Sequence, residues 1–109
     1  MARYLIQASY SQQGIEGLIK AGGTSRRTAI EAATKGLGGT LESFYFGFGD
    51  SDVYGIVDWP DHVSAASFAL AVGAPGTVTQ IKTTVLLTAE EVDQAAKKAS
   101  SVAYRPPGH

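Results

Sequence analysis

Residues 38–76 contain two strands joined by a short acidic turn and followed at once by a helix. Aromatic and β-branched residues over residues 40–48 and 53–59 predict the two strands. A turn as short as residues 50–52 makes these strands antiparallel neighbours. Asp61 is a suitable N-cap for the helix that follows. This succession is typical of the middle of a split β-α-β fold.

The flanking segments complete the pattern. Residues 3–10 predict a first strand and residues 78–87 a fourth. Apolar residues at helical spacing between residues 11 and 37 predict a helical stretch. Gly22 and Gly23 either break or kink that stretch, and the sequence leaves both alternatives open.

A C-terminal helix is predicted after the fourth strand, because Thr88 and Glu91 have the spacing of a capping box. Its inward positions are predicted to be Val92, Ala95, Ala99 and Val102. Residues 104–109 predict a flexible tail, because two prolines and a glycine cannot continue a helix. The sequence therefore predicts one domain over residues 1–103, followed by a tail over residues 104–109.

The element order predicts an α+β, ferredoxin-like βαββαβ fold with a four-stranded antiparallel sheet and an added C-terminal helix. No helix remains to cover the second face of the sheet. Alternation places Leu41, Ser43 and Tyr45 on one face of the second strand, and Phe44, Phe46 and Phe48 on the other. Because so apolar a face would be exposed on a monomer, we expect a homodimer, or a higher oligomer of dimers, with a barrel between the two sheets.

Composition excludes several classes of function. Nine Lys and Arg against ten Asp and Glu give a net charge of -1, which argues against a nucleic-acid partner. The absence of cysteine excludes thiol catalysis and cysteine-rich zinc sites. No apolar run is long enough to span a membrane, and the first residues lack the pattern of a signal peptide. We therefore expect a cytoplasmic protein with no membrane or nucleic-acid partner.

Three stretches carry a resemblance: RYLIQASYSQQGIEGL at the start, LGGTLESFYFGFGDSDVYGIVDWPD in the middle, and VSAASFALAVGAPGTV followed by TTVLLTAEE. Over roughly Tyr4 to Lys98 the chain resembles the GYD-domain family, small bacterial proteins of the dimeric α/β-barrel superfamily. Gly49, Asp50 and Asp52 match the motif that names the family, but the aromatic residue before the aspartate is missing. The resemblance implies the fold and the dimer. It implies no particular activity, because relatives of this fold include oxygenases, haem-degrading enzymes, isomerases and ligand-sensing domains.

His62 and Asp58 are the candidate catalytic residues. His62 is the only histidine outside the tail, and histidine is the side-chain type most suited to proton transfer near neutral pH. With Asp58 it could form an acid/base pair, beside Trp59. The alternative is an exposed histidine in the first turn of a helix, with no nucleophile beside it.

Asp50 and Asp52 offer two carboxylates that could share a cation. The structural alternative is that both residues serve the turn itself, since aspartate oxygens accept hydrogen bonds from nearby backbone N–H groups. No third carboxylate lies close in sequence, so we predict no metal site and no bound cofactor.

Polar and aromatic residues at alternating strand positions are the candidate ligand-binding groups. Structural roles in the core or in a dimer interface are the alternative for the aromatic ones. These candidates are Trp59, Tyr54, Tyr45, Gln7 and Lys82. Arg26 and Arg27, just after a glycine turn, could bind an anion, or could be solvated charges or subunit contacts.

The sequence therefore favours a small homo-oligomeric protein that binds a small molecule or acts as an accessory module. One alternative is a cofactor-independent oxygenase or isomerase that acts in the cavity between the sheets. A further alternative is a structural assembly subunit with a filled barrel.

Overall fold

The computed structural model describes residues 2–109. Its elements follow the predicted order. The helical stretch that the sequence left as either broken or kinked is two separate helices. The elements are β1 (Ala2–Tyr10), α1 (Gln12–Ala21), α2 (Gly23–Gly36), β2 (Thr40–Phe46), β3 (Val53–Trp59), α3 (His62–Gly73), β4 (Val78–Leu86) and α4 (Ala89–Ala99). The four strands form one antiparallel sheet in the order β2-β3-β1-β4. The predicted α+β, ferredoxin-like fold is confirmed.

Side-chain caps explain where three of the helices begin. The Ser11 hydroxyl accepts a hydrogen bond from the Gly14 N–H at the start of α1. The Asp61 carboxylate accepts one from the Ser64 N–H at the start of α3. The predicted capping box of Thr88 is present at the start of α4. Each cap satisfies backbone donors that have no partner within the helix.

Gly22 breaks the first helical stretch. Its N–H donates to the Leu18 carbonyl oxygen and ends α1, and the same residue is the N-cap of α2. Its φ of 85° lies in the left-handed region that favours glycine. Because glycine has no side chain, α2 begins without a side-chain cap.

A β-bulge in β2 overturns one prediction. The register with β3 shifts between Leu41 and Ser43. Leu41 therefore lies on the same face as Phe44, beside Val57, and is buried in the core. Simple alternation had placed it with Ser43 and Tyr45. Alternation fails here because a bulge adds one residue to one strand and reverses the faces beyond it.

The core lies between one face of the sheet and the helices α2 and α3. Its centre is the fully buried indole of Trp59, 5.0 Å between ring centroids from Phe68 of α3. Ile30 and Leu37 of α2 pack against its edge. The buried residues of this cluster are Tyr4, Ile6, Leu41, Val57, Trp59, Ala65 and Phe68.

Helix α4 does not pack against its own chain. Val92 is 51% exposed and no residue of α4 is buried, so the predicted inward stripe of Val92, Ala95, Ala99 and Val102 is wrong for the single chain. The described chain extends over 56 Å, and its radius of gyration is 17.2 Å. A compact domain of this length would have a radius of gyration of about 13 Å. No described helix combines the length and the apolar content needed to cross a membrane.

Candidate functional site

We use the name open face for the side of the sheet away from the core. Its centre is a row of Ser43, Ile56, Leu5 and Thr84, one residue from each strand in sheet order. Leu5 and Ile56 are outside the core cluster, and both side chains are only half-buried. The open face therefore has an apolar centre, and polar rows lie on each side of it.

Four of the predicted ligand-binding residues form one of these rows. Tyr45 pairs with Tyr54, Tyr54 with Gln7, and Gln7 with Lys82, so the row crosses all four strands. Side chains directly opposite one another on neighbouring strands have Cβ atoms about 4.5–5.5 Å apart. We call this set the tyrosine–lysine row. It combines two phenol rings, an amide and an ammonium group on one surface.

Two hydrogen bonds hold the middle of this row. Gln7 Nε2 donates to the hydroxyl of buried Ser51 at 3.4 Å. The Tyr54 hydroxyl accepts from the Ser51 N–H at 3.3 Å, so its own proton remains available for donation. Tyr45 and Lys82 at the two ends are exposed, and Tyr45 has 70% of its surface accessible.

Arg3 holds the opposite edge of the open face between two carboxylates. Its Nε lies 2.7 Å from Oε2 of Glu42, and its Nη2 donates to Oε1 of Glu42 at 3.0 Å. Asp58 Oδ1 accepts from Nε at 3.4 Å. The bidentate geometry fixes the guanidinium plane. A cleft of about 400 Å³, which we call the open-face cleft, lies beside it and is lined by Ala2, Arg3, Ile56, Asp58, Leu86 and Glu91 among others.

His62 lies on the other side of the sheet. Its Nδ1 is 2.7 Å from the hydroxyl of Tyr4, and the Tyr4 ring is buried in the core. The two rings meet edge to face with centroids 6.0 Å apart. The imidazole itself is exposed. This contact joins the start of α3 to β1.

The proposed pairing of Asp58 with His62 is not what the structure shows. Asp58 follows Val57 and precedes Trp59, which both face the core, so its carboxylate is on the open face with Arg3. His62 bonds to Tyr4 on the core side. Closeness in sequence was misleading because successive strand residues point to opposite faces.

Trp59 also lies apart from the other ligand-binding candidates. It is fully buried on the core side, and its Nε1 has no hydrogen-bond partner among the described residues. Gly39 lies directly against the ring. The indole therefore serves the core in this structure.

The acidic turn is tied to β1 through Asp52. Its Oδ2 accepts a hydrogen bond from the Tyr10 N–H at 2.9 Å, while Asp50 is exposed. Gly49 donates to the Ser51 carbonyl oxygen within the turn. Over residues 2–109, no three acidic or histidine side chains lie close enough together to hold a metal ion. The Asp52 carboxylate therefore joins the turn to β1, rather than bonding within the turn as the structural alternative supposed.

The carboxylate of Asp61 has a lowered pKa. The main cause is the hydrogen bond from the Ser64 N–H, and neighbouring His62 and Val63 act in the same direction. The helix cap therefore stays ionised to a lower pH than a free aspartate would. It occupies a donor that an anionic ligand would otherwise use at this helix start.

Three contacts of the candidate site were not predicted from the sequence. These are the ion pairs of Arg3 with Glu42 and Asp58, and the contact of Tyr4 with His62. Arg3 opposes Asp58 across β1 and β3. Once the strand pairing was known, their opposite charges on one face would have been the signal.

The fold and the open face together define a small ferredoxin-like α+β domain with one uncovered sheet face. The family model of the GYD domain matches residues 4–96. The chain belongs to the GYD domain family, as the resemblance implied. No curated protein matches the chain.

Proposed function

We propose that this protein is a homodimeric small-molecule-binding module, in which the open faces of two copies enclose the ligand. The observation that carries the proposal is the tyrosine–lysine row. It places an exposed phenol, an exposed ammonium group and a fixed amide on a surface whose centre is apolar. Apolar walls with a few fixed polar groups are typical of ligand sites.

The dimer part of the proposal accounts for two uncovered apolar surfaces at once. Leu5, Ile56 and Tyr45 remain accessible on the open face, and Val92 remains accessible on α4. A monomer would leave both in water at a cost that grows with the apolar area. A second copy related by two-fold symmetry would bring a matching open face and a second α4.

The open-face cleft would lie at the mouth of the enclosed space. Its volume of about 400 Å³ is within the usual range for small-molecule sites, which is roughly 300–1,000 Å³. Arg3 carries two carboxylate partners there, so the cleft has an excess of negative charge. Hydrogen-bond donors on a ligand would suit this end, and acceptors would suit Lys82 at the other.

An oxygenase or isomerase is the weaker candidate. The contact between the Tyr4 hydroxyl and His62 is the acid/base feature that would favour such an enzyme. However, Tyr4 is only 1% exposed. His62 lines neither the cavity inside the core nor the groove between α2 and α3. A general base must reach the proton that it removes. Asp58, the other candidate, is already paired with Arg3.

Native mass spectrometry of the purified protein tests the proposal. We expect a dimer with a small molecule of defined mass bound per dimer or per chain. Lys82→Met keeps the length of the side chain and removes its charge, and should reduce the bound fraction. Lys35→Met, an exposed lysine at the end of α2, is the matched control and should leave it unchanged.

Equal occupancy in both variants would place the ligand away from the tyrosine–lysine row. A dimer that never carries a ligand, from any growth condition or from a metabolite library, would favour the assembly subunit instead.

A further inference from the structure

Arg26 lies one turn into α2, where three cavities meet on the core side of the sheet. It lines a small cavity inside the core, a groove between α2 and α3, and a second groove beside α1. We call the second of these the α2–α3 groove. None of the three is on the open face, so this region is separate from the site proposed above.

One nitrogen of the Arg26 guanidinium, Nε, lacks a hydrogen-bond partner among residues 2–109. This nitrogen is completely buried. Two ion pairs are found over residues 2–109, and Arg3 forms both of them. No carboxylate of the described residues therefore neutralises Arg26. A buried donor without an acceptor costs stability, and a charged donor costs more than a neutral one. Arg26 as a whole is only half-buried, so a ligand in the groove would bind the accessible part of the guanidinium rather than Nε itself.

The core cavity beside Arg26 is lined almost wholly by apolar residues, and the α2–α3 groove is lined mostly by them. The cavity inside the core has a volume of about 30 Å³ and the α2–α3 groove one of about 530 Å³. They share Ile30, Phe68, Val72 and Val78 as well as Arg26, so the cavity and the groove adjoin each other. Water gains little in the cavity inside the core, because a buried water needs two to four polar partners.

Charge at this end of α2 is wholly positive. Arg27 follows Arg26, the first turn contains no acidic residue, and Gly22 provides no side-chain cap. Cations at the N-terminus of a helix are unfavourable because the helix dipole is positive there. The positive charge at this end of α2 would by itself indicate only that an anion binds there. The groove that Arg26 lines adds the position of the anion and the character of the rest of the ligand.

We propose that the α2–α3 groove binds an amphipathic monocarboxylate, such as a medium-chain acid. Its carboxylate accepts hydrogen bonds from the Arg26 guanidinium, and its apolar tail lies over Phe68 between the two helices. Ala33 and Ala71 line the walls, and their small side chains leave room for the tail. Leu37 lies at the far end, about 16 Å along the axis of α2 from Arg26.

Isothermal titration calorimetry with octanoate tests this assignment on the full chain. Octanol, which has the tail without the charge, and acetate, which has the charge without the tail, are the comparison probes. We expect octanoate to bind at least about ten-fold more tightly than either, because each lacks one of the two interactions. Octanol that binds as well as octanoate, or octanoate that does not bind at all, would overturn the proposal.

Arg26→Gln and Arg27→Gln form a matched pair, since both remove one positive charge from the same turn. We expect Arg26→Gln to weaken octanoate binding at least about ten-fold, and exposed Arg27→Gln to change it less than about two-fold. Equal losses in both would mean nonspecific charge attraction and would contradict the site.

Ala71→Leu tests the tail without altering the charge. Ala71 is exposed, so the variant should fold normally, and its larger side chain should block the groove and abolish binding. Lys82→Met on the open face should leave octanoate binding unchanged. Weaker binding in Lys82→Met together with normal binding in Ala71→Leu would place octanoate on the open face and refute the groove.

Discussion

Gly39 allows the core to close around Trp59. A Cβ atom on this residue would lie 2.4 Å from Cδ1 of the indole and 2.5 Å from the Asp58 carbonyl oxygen. Neither the backbone nor a fully buried ring can move far without disturbing close-packed neighbours. A residue without a side chain is therefore required at this position.

We expect Gly39→Ala to lower the free energy of unfolding by about 1–3 kcal/mol, the usual cost of overpacking a core. Gly17→Ala is the control, because Gly17 lies within α1 and a Cβ atom there would have nothing within 4 Å. Alanine should raise stability at that position by about 0.5–1 kcal/mol. Urea denaturation measures both, and an equal effect in the two variants would contradict this account of Gly39.

Asp61 links helix stability to pH. Its pKa in the folded chain lies below the value of 3.8 for a free aspartate, because the Ser64 N–H donates to the carboxylate. Such a group contributes stability above its unfolded pKa and loses the contribution as the pH falls through its folded pKa. Asp61→Ala should therefore lower the melting temperature at pH 7, and the difference from the wild type should shrink below pH 3.8.

Asp50→Ala is the control for that measurement, because Asp50 is an exposed turn residue that caps no helix. Its melting temperature should follow that of the wild type at each pH. If the melting temperatures of Asp61→Ala and the wild type differed by the same amount down to the lowest pH, the charge of the Asp61 cap would not contribute to stability.

At the scale of elements, local signals predicted most of the sheet. The bounds of β3 agree with the structure, because Val53–Trp59 has an uninterrupted period of two between a turn and a proline. The face of Leu41 could not be predicted, because a β-bulge depends on pairing with the neighbouring strand. The separation of Asp58 from His62 was predictable from the same alternation, yet closeness along the chain suggested a pair.

Helix α4 shows a different limit. Its capping box and charge pattern identified the helix, and its apolar stripe predicted a surface that packs against protein. The sequence could not show whether the stripe packs against its own chain or against another copy. In the single chain the stripe remains exposed, and the proposed dimer would cover it.

We expect Val92→Glu to weaken the dimer while the monomer stays folded, because Val92 buries little against its own chain. Val63→Glu on α3 is the control for adding a carboxylate to an exposed valine, since Val63 is 75% exposed. Size-exclusion chromatography over a dilution series measures both. Equal dissociation of the two variants would mean that α4 has no special part in the dimer.

Deletion of residues 105–109 should leave the melting temperature nearly unchanged. Each of these residues is exposed, and the prolines and glycine offer little apolar surface to bury. Differential scanning calorimetry measures the change, with the full chain at equal concentration as reference. A fall of many degrees would mean that the tail contacts another subunit.

At the scale of the whole molecule, the sheet separates two chemically different surfaces. The core side has Arg26 beside an apolar groove, and the open face has the tyrosine–lysine row and the Arg3 ion pairs. The proposed dimer would enclose the second surface and leave the first accessible. The proposal of a dimeric binding module depends on the open face being covered by another copy rather than by water, and the α2–α3 groove does not.

Sedimentation equilibrium at micromolar concentration tests that central claim most directly, with wild type, Ile56→Asp and Ile19→Asp. Ile56 lies at the centre of the open face, and Ile19 is an exposed isoleucine of α1. We predict at least twice the chain mass of 11.4 kDa for the wild type and for Ile19→Asp. We predict a folded monomer, checked by circular dichroism, for Ile56→Asp. A monodisperse wild-type monomer, or a dimer that persists in Ile56→Asp, would contradict the account.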